Sequence, residues 1–85
     1  MSEKHALPGP YPIKVITRNV DDIRQYVLEA VQRVFPKFSE DLMREKASGG
    51  NKYLSFTVTV YAETEQQLKK LNDSLRANSD VMTVL

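Results

Sequence analysis

Residues 52–62 alternate between apolar and polar side chains along the whole segment. One set of alternate positions is apolar and comprises Leu54, Phe56, Val58, Val60 and Ala62. The other set carries hydroxyl groups and comprises Tyr53, Ser55, Thr57, Thr59 and Tyr61. Because successive side chains of a β-strand point to opposite faces of the sheet, the pattern predicts a strand with one buried and one open face.

Three further segments have weaker strand patterns. Residues 11–17 alternate in the same way, whereas residues 42–47 are short and charged, which is typical of an edge strand. Residues 81–85 form a short apolar strand. Between the second and third strands, residues 48–51 read Ser-Gly-Gly-Asn and predict a tight turn, because these residues tolerate positive φ angles.

Two segments have the apolar spacing of amphipathic helices. The first is expected to have Asn19 as its N-cap and Asp22 in its first turn, and to end before Pro36. Its apolar stripe comprises Val20, Ile23, Val27, Ala30, Val31 and Val34. The second is expected to open with a capping box formed by Thr64 and Gln67. Its stripe comprises Leu68, Leu71 and Leu75.

The order strand, helix, strand, strand, helix, strand favours one architecture. Two helices with one apolar stripe each can cover only one face of a four-stranded sheet. Right-handed crossovers then predict an α+β fold, the ferredoxin-like βαββαβ two-layer sandwich, with an antiparallel sheet in the order 4-1-3-2. We expect this domain to span residues 11–85. Residues 1–10 are expected to form a flexible N-terminal arm, because they offer nothing to bury and end in a Pro-Gly-Pro sequence.

The segment after the first helix carries two aromatic residues. Phe35 and Phe38 flank Pro36. Exposed rings of this kind can anchor a partner. We expect them instead to close the open end of the small sandwich.

The composition limits the chemistry of the domain. The 85 residues include no cysteine and one histidine, His5, which lies in the predicted arm. Thiolate chemistry is therefore excluded, and no set of metal ligands has coordinating spacing. No serine has a histidine in the predicted fold to activate it, and no carboxylate pair falls in an evident cleft. We predict a protein that is not an enzyme and that uses no metal and no cofactor.

Charge and hydropathy are typical of a cytoplasmic globular protein. Twelve Lys and Arg residues balance 11 Asp and Glu residues to a net charge of +1, so no overall field attracts nucleic acid. No apolar run approaches the roughly 20 residues that cross a bilayer. Residues 1–10 also lack the apolar segment of a signal peptide. We therefore expect no membrane association.

The sheet face turned away from the helices is the first candidate binding surface. Its candidate binding residues are Lys14, Arg44, Tyr53, Ser55 and Tyr61. Tyrosines between cations allow a sheet to stack bases, so weak binding of single-stranded RNA is one interpretation. The first strand lacks an aromatic residue, however, and Ser55 stands where a second stacking ring belongs. A face that is merely solvated is favoured, because Thr and Tyr have high strand propensity in any case.

The last strand is the second candidate surface. It is apolar on both faces and is expected at a sheet edge, with candidate self-association residues Val81, Met82, Val84 and Leu85. An edge strand without charged residues can pair with another chain. A homodimer through this edge is therefore one hypothesis.

From about Pro10 to residue 85 the sequence resembles the YbeD family of small uncharacterised bacterial proteins. The motifs that carry the resemblance are Lys14-Val15, Tyr53-Leu54-Ser55, Gln67-Leu68 with Leu71 and Leu75, and residues 81–85. The resemblance implies a ferredoxin-like fold similar to the ACT domains that regulate amino-acid metabolism, and it brings no catalytic residues. The family tends to have glycine at the end of the first strand, where this sequence has Thr17-Arg18-Asn19. This departure argues against amino-acid binding in an ACT-like pocket.

These observations lead to two hypotheses about function. The first is a non-enzymatic regulatory or adaptor domain that binds a small-molecule effector or a protein partner. The alternative is weak single-stranded RNA binding on the open side of the sheet. Near-zero net charge and the missing stacking rings disfavour the alternative.

Overall fold

The computed structural model of the protein describes residues 7–85. Its elements are β1 (Gly9–Arg18), α1 (Ile23–Val34), β2 (Met43–Ser48), β3 (Tyr53–Ala62), α2 (Glu65–Arg76) and β4 (Val81–Val84), with one turn of 3-10 helix (Glu40–Leu42) before β2. The strands form one antiparallel sheet in the order β2-β3-β1-β4. This is the predicted order read from the opposite edge, so the ferredoxin-like βαββαβ architecture is confirmed.

The long strand β3 organises the sheet and the core. It pairs with β1 along its whole length, but with β2 only over residues 53–58. Its apolar face is buried as predicted, with every one of the five side chains at most 6% exposed. Phe56 at the centre of the strand is fully buried. The helices therefore pack on this face and leave the hydroxyl-bearing face uncovered.

The second helix begins as the sequence predicts. The Thr64 hydroxyl accepts a hydrogen bond from the Gln67 backbone N–H at 3.2 Å, and the Gln67 side-chain oxygen accepts one from the Thr64 backbone N–H at 3.3 Å. This capping box satisfies donors that the first turn of a helix leaves free. Across the two helices, the Tyr26 hydroxyl donates to the Ser74 carbonyl at 2.7 Å, which fixes α1 against α2.

The start of the first helix was predicted wrongly. The helix begins at Ile23, its N-cap is Asp22 in the left-handed conformation with φ of 65°, and no acidic residue lies in its first turn. Asn19 precedes the helix, and its side-chain amide donates to the Asn51 carbonyl at 2.8 Å. Asn19 therefore ties the β1–α1 connection to the β2–β3 turn. Val20 lies outside the helix and is exposed, so it does not belong to the apolar stripe.

Most strand boundaries also differ from the prediction, by one or two residues. β1 begins at Gly9, two residues before the predicted start, and β2 begins at Met43, one residue after it. Of the predicted arm, residues 1–6 with His5 lie outside the described residues, whereas Gly9 and Pro10 pair with the end of β3.

Phe35 and Phe38 are buried after the end of α1, as expected of residues that close the sandwich. Both rings belong to the hydrophobic core. The Phe38 backbone N–H donates to the Phe35 carbonyl at 2.9 Å, and the Gln32 side-chain amide donates to the Phe38 carbonyl at 3.1 Å. These bonds hold an irregular segment in one conformation.

The β2–β3 turn gives the first testable prediction. Gly49, Gly50 and Asn51 have φ angles of 59°, 66° and 68°. Alanine at either glycine costs about 1–2 kcal/mol, because its Cβ approaches the following carbonyl oxygen in this conformation. A Cβ at position 49 would also lie 2.9 Å from Cδ2 of Tyr53, whereas at position 50 it would meet nothing within 4 Å. In urea denaturation we expect Gly49→Ala to lose more stability than Gly50→Ala. Equal losses would contradict the contact argument.

Candidate functional site

Alternate residues of the strands form the sheet face opposite the helices. Across β1, β3 and β2 they make three rows in register, Lys14–Thr57–Arg44, Ile16–Ser55–Lys46 and Arg18–Tyr53–Ser48. These rows, continued along β3 by Thr59 and Tyr61, are called the open face. The structure thus places all five predicted binding residues on one surface.

The open face is cationic, although the whole chain is nearly neutral. Lys14, Arg18, Arg44 and Lys46 are all exposed. Neighbouring strands lie about 4.8 Å apart, so the Cα atoms of Lys14 and Arg44 on either side of Thr57 are about 10 Å apart. No strand position of this face in residues 7–85 carries a carboxylate. The open face therefore carries a local positive charge that the net charge of the chain does not reveal.

Arg24 of α1 forms ion pairs with two carboxylates on the helical side of the sheet. Its guanidinium lies 2.7 Å from Oε1 of Glu45 and 3.0 Å from Oε2 of Glu40. The hydrogen bond to Glu45 raises the pKa of Arg24 above its ordinary value, and the bond to Glu40 raises it further. Glu45, which stands between Arg44 and Lys46 in sequence, thereby points to the helical side and leaves its neighbours unneutralised.

The aromatic rings of the open face are far apart. Tyr53 is half-buried at one end of β3 and Tyr61 is exposed at the other. Tyr61 lies eight positions after Tyr53 along the strand, so the two residues are about 26 Å apart. Ser55, Thr57 and Thr59 occupy the positions between them. The face therefore offers hydroxyl donors and cations, but it does not bring two rings to adjacent positions.

The strand β4 lies at the sheet edge, as predicted. Val81 is buried in the core and Val84 is half-buried, whereas Met82 is 43% and Leu85 70% exposed. Backbone bonds between Leu85 and Lys14, at 3.1 and 2.8 Å, extend the pairing one residue beyond β4. The exposed apolar groups of this edge are thus Met82 and Leu85, two of the four predicted residues.

A cleft that the sequence analysis missed opens where β2 stops short of the end of β3. Its volume is about 570 Å³. Its apolar lining includes Phe35, Phe38, Leu42 and Val60, and Lys37 and Glu63 also line it. Ligand pockets usually measure about 300–1,000 Å³. Leu42 is the sequence signal that could have indicated the cleft, because it is an apolar residue at the start of the charged segment 42–47.

Across residues 7–85, His, Cys, Asp and Glu side chains nowhere gather in a group of three that could hold a metal ion. The helices within the same range are too short or too polar to span a membrane.

Comparison with solved structures places the fold among ACT-like domains. The solution structure of protein HP0495 from H. pylori aligns with a TM-score of 0.75 at 18% identity, covering 99% of this chain and 88% of that one. The crystal structure of the ACT domain from GTP pyrophosphokinase of Chlorobium tepidum aligns with a TM-score of 0.59 at 17% identity, covering 91% and 95%. At these identities the likeness establishes the fold alone.

Sequence comparison identifies the family. A family model described as "Protein of unknown function (DUF493)" matches residues 2–85. The UPF0250 protein of Ralstonia nicotianae is 36% identical over 78 residues, which cover 92% of this chain and 80% of that protein. The UPF0250 protein of Hahella chejuensis is 32% identical over 82 residues, covering 96% and 90%. The resemblance of the sequence motifs to the YbeD family is thereby confirmed. The chain belongs to the bacterial DUF493/UPF0250 family, which is YbeD-like.

Proposed function

We propose that this protein is a non-enzymatic, cytoplasmic regulatory or adaptor domain that acts by binding a partner protein or a small-molecule effector. The observation that carries the proposal is the open face, a whole side of the sheet without helical cover that bears exposed cations and hydroxyl groups. The fold supports it, because a domain of the same fold occurs as the ACT domain of the GTP pyrophosphokinase from Chlorobium tepidum.

The chemistry of the open face supports binding over catalysis. Lys14, Arg44 and Lys46 supply positive charge, and Ser55 and Thr57 supply hydroxyl groups between them. General acid–base catalysis needs a group placed to take or give a proton, and nucleophilic catalysis needs a base beside the nucleophile. The open face carries neither arrangement. Cations and hydroxyls spread over a flat surface suit recognition of another molecule.

The cleft is the candidate site that we propose for a small-molecule effector. It combines an apolar lining with Lys37 and Glu63, as small-molecule pockets combine apolar walls with a few polar groups. It lies at the end of β3 where Tyr61 also borders it. An effector in the cleft would thus contact the same strand that forms the open face.

Two measurements on the full chain test the proposed function. The first is capture of proteins from a bacterial lysate on the immobilised domain, followed by binding assays with each purified candidate. The second is thermal unfolding across a panel of amino acids and cofactors, because a ligand that binds the folded state raises its melting temperature. We expect at least one saturable interaction. The proposal is overturned if no captured protein binds when purified and no compound shifts the melting temperature.

Single-stranded RNA is the second candidate ligand of the open face. The four exposed cations of this face are the observation that favours RNA binding. The distance between the rings of Tyr53 and Tyr61 weighs against it, because base stacking uses rings at neighbouring positions. RNA binding predicts an affinity that falls steeply with salt. Failure to bind an oligouridine at low ionic strength would exclude this function.

The β4 edge gives a prediction about self-association. We expect the molecular mass from sedimentation to rise with protein concentration, because β4 presents an uncharged edge with the exposed side chains of Met82 and Leu85. Met82→Lys should shift this rise to higher concentration, since a lysine on an edge opposes strand pairing. Gln66→Lys adds the same charge on exposed α2 and should leave the rise unchanged. A wild-type protein that stays monomeric at the highest concentrations would refute the edge hypothesis.

A further inference from the structure

We propose that the open face binds an acidic, extended segment of a partner protein, with Arg44 and Lys46 as its main contacts. This inference rests on the proposed function and names the chemistry of the partner. It is carried by the charge of the face together with the spacing that the strand register imposes.

Three of the four cations of the open face lack a partner among residues 7–85. Arg18 has Asp80 at 3.6 Å, an exposed pair at the rim of the sheet. Lys14, Arg44 and Lys46 make no ion pair and no side-chain hydrogen bond with residues 7–85. Arg24, on the helical side, by contrast holds two carboxylates. The positive charge of the face is therefore available to an external anion.

Protection of a sheet edge accounts for only part of this charge. No two of these cations are directly paired, but like charges about 7–10 Å apart on one face still repel each other, more strongly at low salt. Charged residues on the edge strand β2 oppose pairing with another chain, but Lys14 lies on the central strand β1, where an uncharged polar residue would serve equally well. The uncompensated repulsion would be relieved by a bound anion, so complementary charge is what the face lacks.

The spacing of the cations fits an extended acidic chain. Arg44 and Lys46 lie two residues apart on β2, so their Cα atoms are about 7 Å apart. Carboxylates two residues apart on an extended segment have the same spacing and point to the same side. Lys14 lies across Thr57 from Arg44 and can reach a carboxylate on the same segment. The hydroxyls of Ser55 and Thr57 can donate hydrogen bonds to carboxylates bound between the cations.

Two features of the face favour an acidic protein over a nucleic acid. The half-buried Tyr53 and the distant Tyr61 cannot form a stacking platform for successive bases. Ile16, in the central row beside Ser55, is partly exposed and gives a small apolar contact at the centre of the surface. An apolar contact ringed by cations matches a peptide in which acidic residues flank an apolar side chain.

A titration with synthetic probes tests the inference on the full chain. The probes are a peptide that alternates glutamate with serine around one central leucine, the same peptide with glutamine for glutamate, and an oligouridine of equal charge. Binding is followed from the backbone amide signals in NMR spectra at low and at physiological ionic strength. We expect the acidic peptide to shift the signals of Lys14, Arg44 and Lys46, with weaker binding at higher salt. The glutamine peptide should leave them unchanged.

Charge variants locate the binding surface. The double variant Arg44→Glu with Lys46→Glu should weaken binding of the acidic peptide by about tenfold or more, because it replaces attraction by repulsion. Arg44→Gln with Lys46→Gln should weaken it less, and it serves if the reversed variant folds poorly. Lys69→Glu with Lys70→Glu makes the same change of charge on exposed α2 and should bind as the wild type does.

Several results would overturn the inference. They are an unchanged affinity of the reversed Arg44 and Lys46 variant, equal weakening by the α2 variant, or an oligouridine that binds as tightly as the acidic peptide. The inference alone fails if a purified partner found by capture binds the reversed variant as it binds the wild type. The proposed function itself fails only if no partner and no effector is found.

Discussion

Truncation of Phe56 to alanine is expected to leave the domain unfolded or barely folded at room temperature. The Phe56 side chain is 0% exposed and lies at the centre of β3, opposite Val15 of β1 and Glu45 of β2. Removing a buried phenylalanine ring costs about 3–5 kcal/mol, because the ring loses its burial and the cavity relaxes only partly. A domain near the small end of the natural range has about 5 kcal/mol of stability in total. The truncation therefore removes most of what holds the chain folded.

Urea denaturation followed by circular dichroism measures this loss against two matched variants. Phe56→Leu keeps most of the buried volume and should cost less than about 1.5 kcal/mol. Tyr61→Ala removes an aromatic ring from the same strand, but this ring is exposed, so the change should stay within about 0.5 kcal/mol. If Phe56→Ala unfolded at the urea concentration of the wild type, the central place of β3 in the core would be wrong.

The elements that the sequence predicted well are those indicated by local residue patterns. The alternation of residues 52–62 indicated β3 and its buried face, and the pair Thr64 and Gln67 indicated the start of α2. Both signals depend on residues that are close together in the sequence. The order of the elements then left one right-handed arrangement of the sheet. The open face followed from the same alternation, because period two decides which side each residue takes.

The features that the sequence did not predict depend on contacts between distant residues. The hydrogen bond from Asn19 to Asn51 joins two loops, and no local pattern indicates it. Because the Asn19 side chain makes this bond, the N-cap of α1 is Asp22 and not Asn19. The cleft exists because β2 starts opposite Val58 and not opposite the end of β3, which is a matter of register between two strands. The ion pair between Arg24 and Glu45, which holds this carboxylate on the helical side, is likewise a contact between distant residues.

Phe38→Ala is the second substitution with a large expected effect, although it lies in an irregular segment. A loop residue that faces solvent tolerates truncation within about 0.5 kcal/mol. The Phe38 side chain is only 5% exposed and packs in the core beside the cleft. We expect Phe38→Ala to cost about 3 kcal/mol, at the lower end for a phenylalanine truncation, because the neighbouring cleft lets the surroundings relax into the space.

The same substitution should loosen one part of the molecule more than the rest. Phe38 lies just before the 3-10 turn that leads into β2, and its backbone is held by Gln32 and Phe35. Hydrogen exchange should therefore accelerate first at the amides at the start of β2. The amides of α2 should exchange only through global unfolding. Lys37→Ala, at the exposed neighbouring position, and Phe38→Leu, which keeps an apolar side chain, should leave both the exchange pattern and the unfolding midpoint close to the wild type. Uniform acceleration over the whole sheet in Phe38→Ala would contradict a local role, and it would mean that this end of the sandwich unfolds together with its centre.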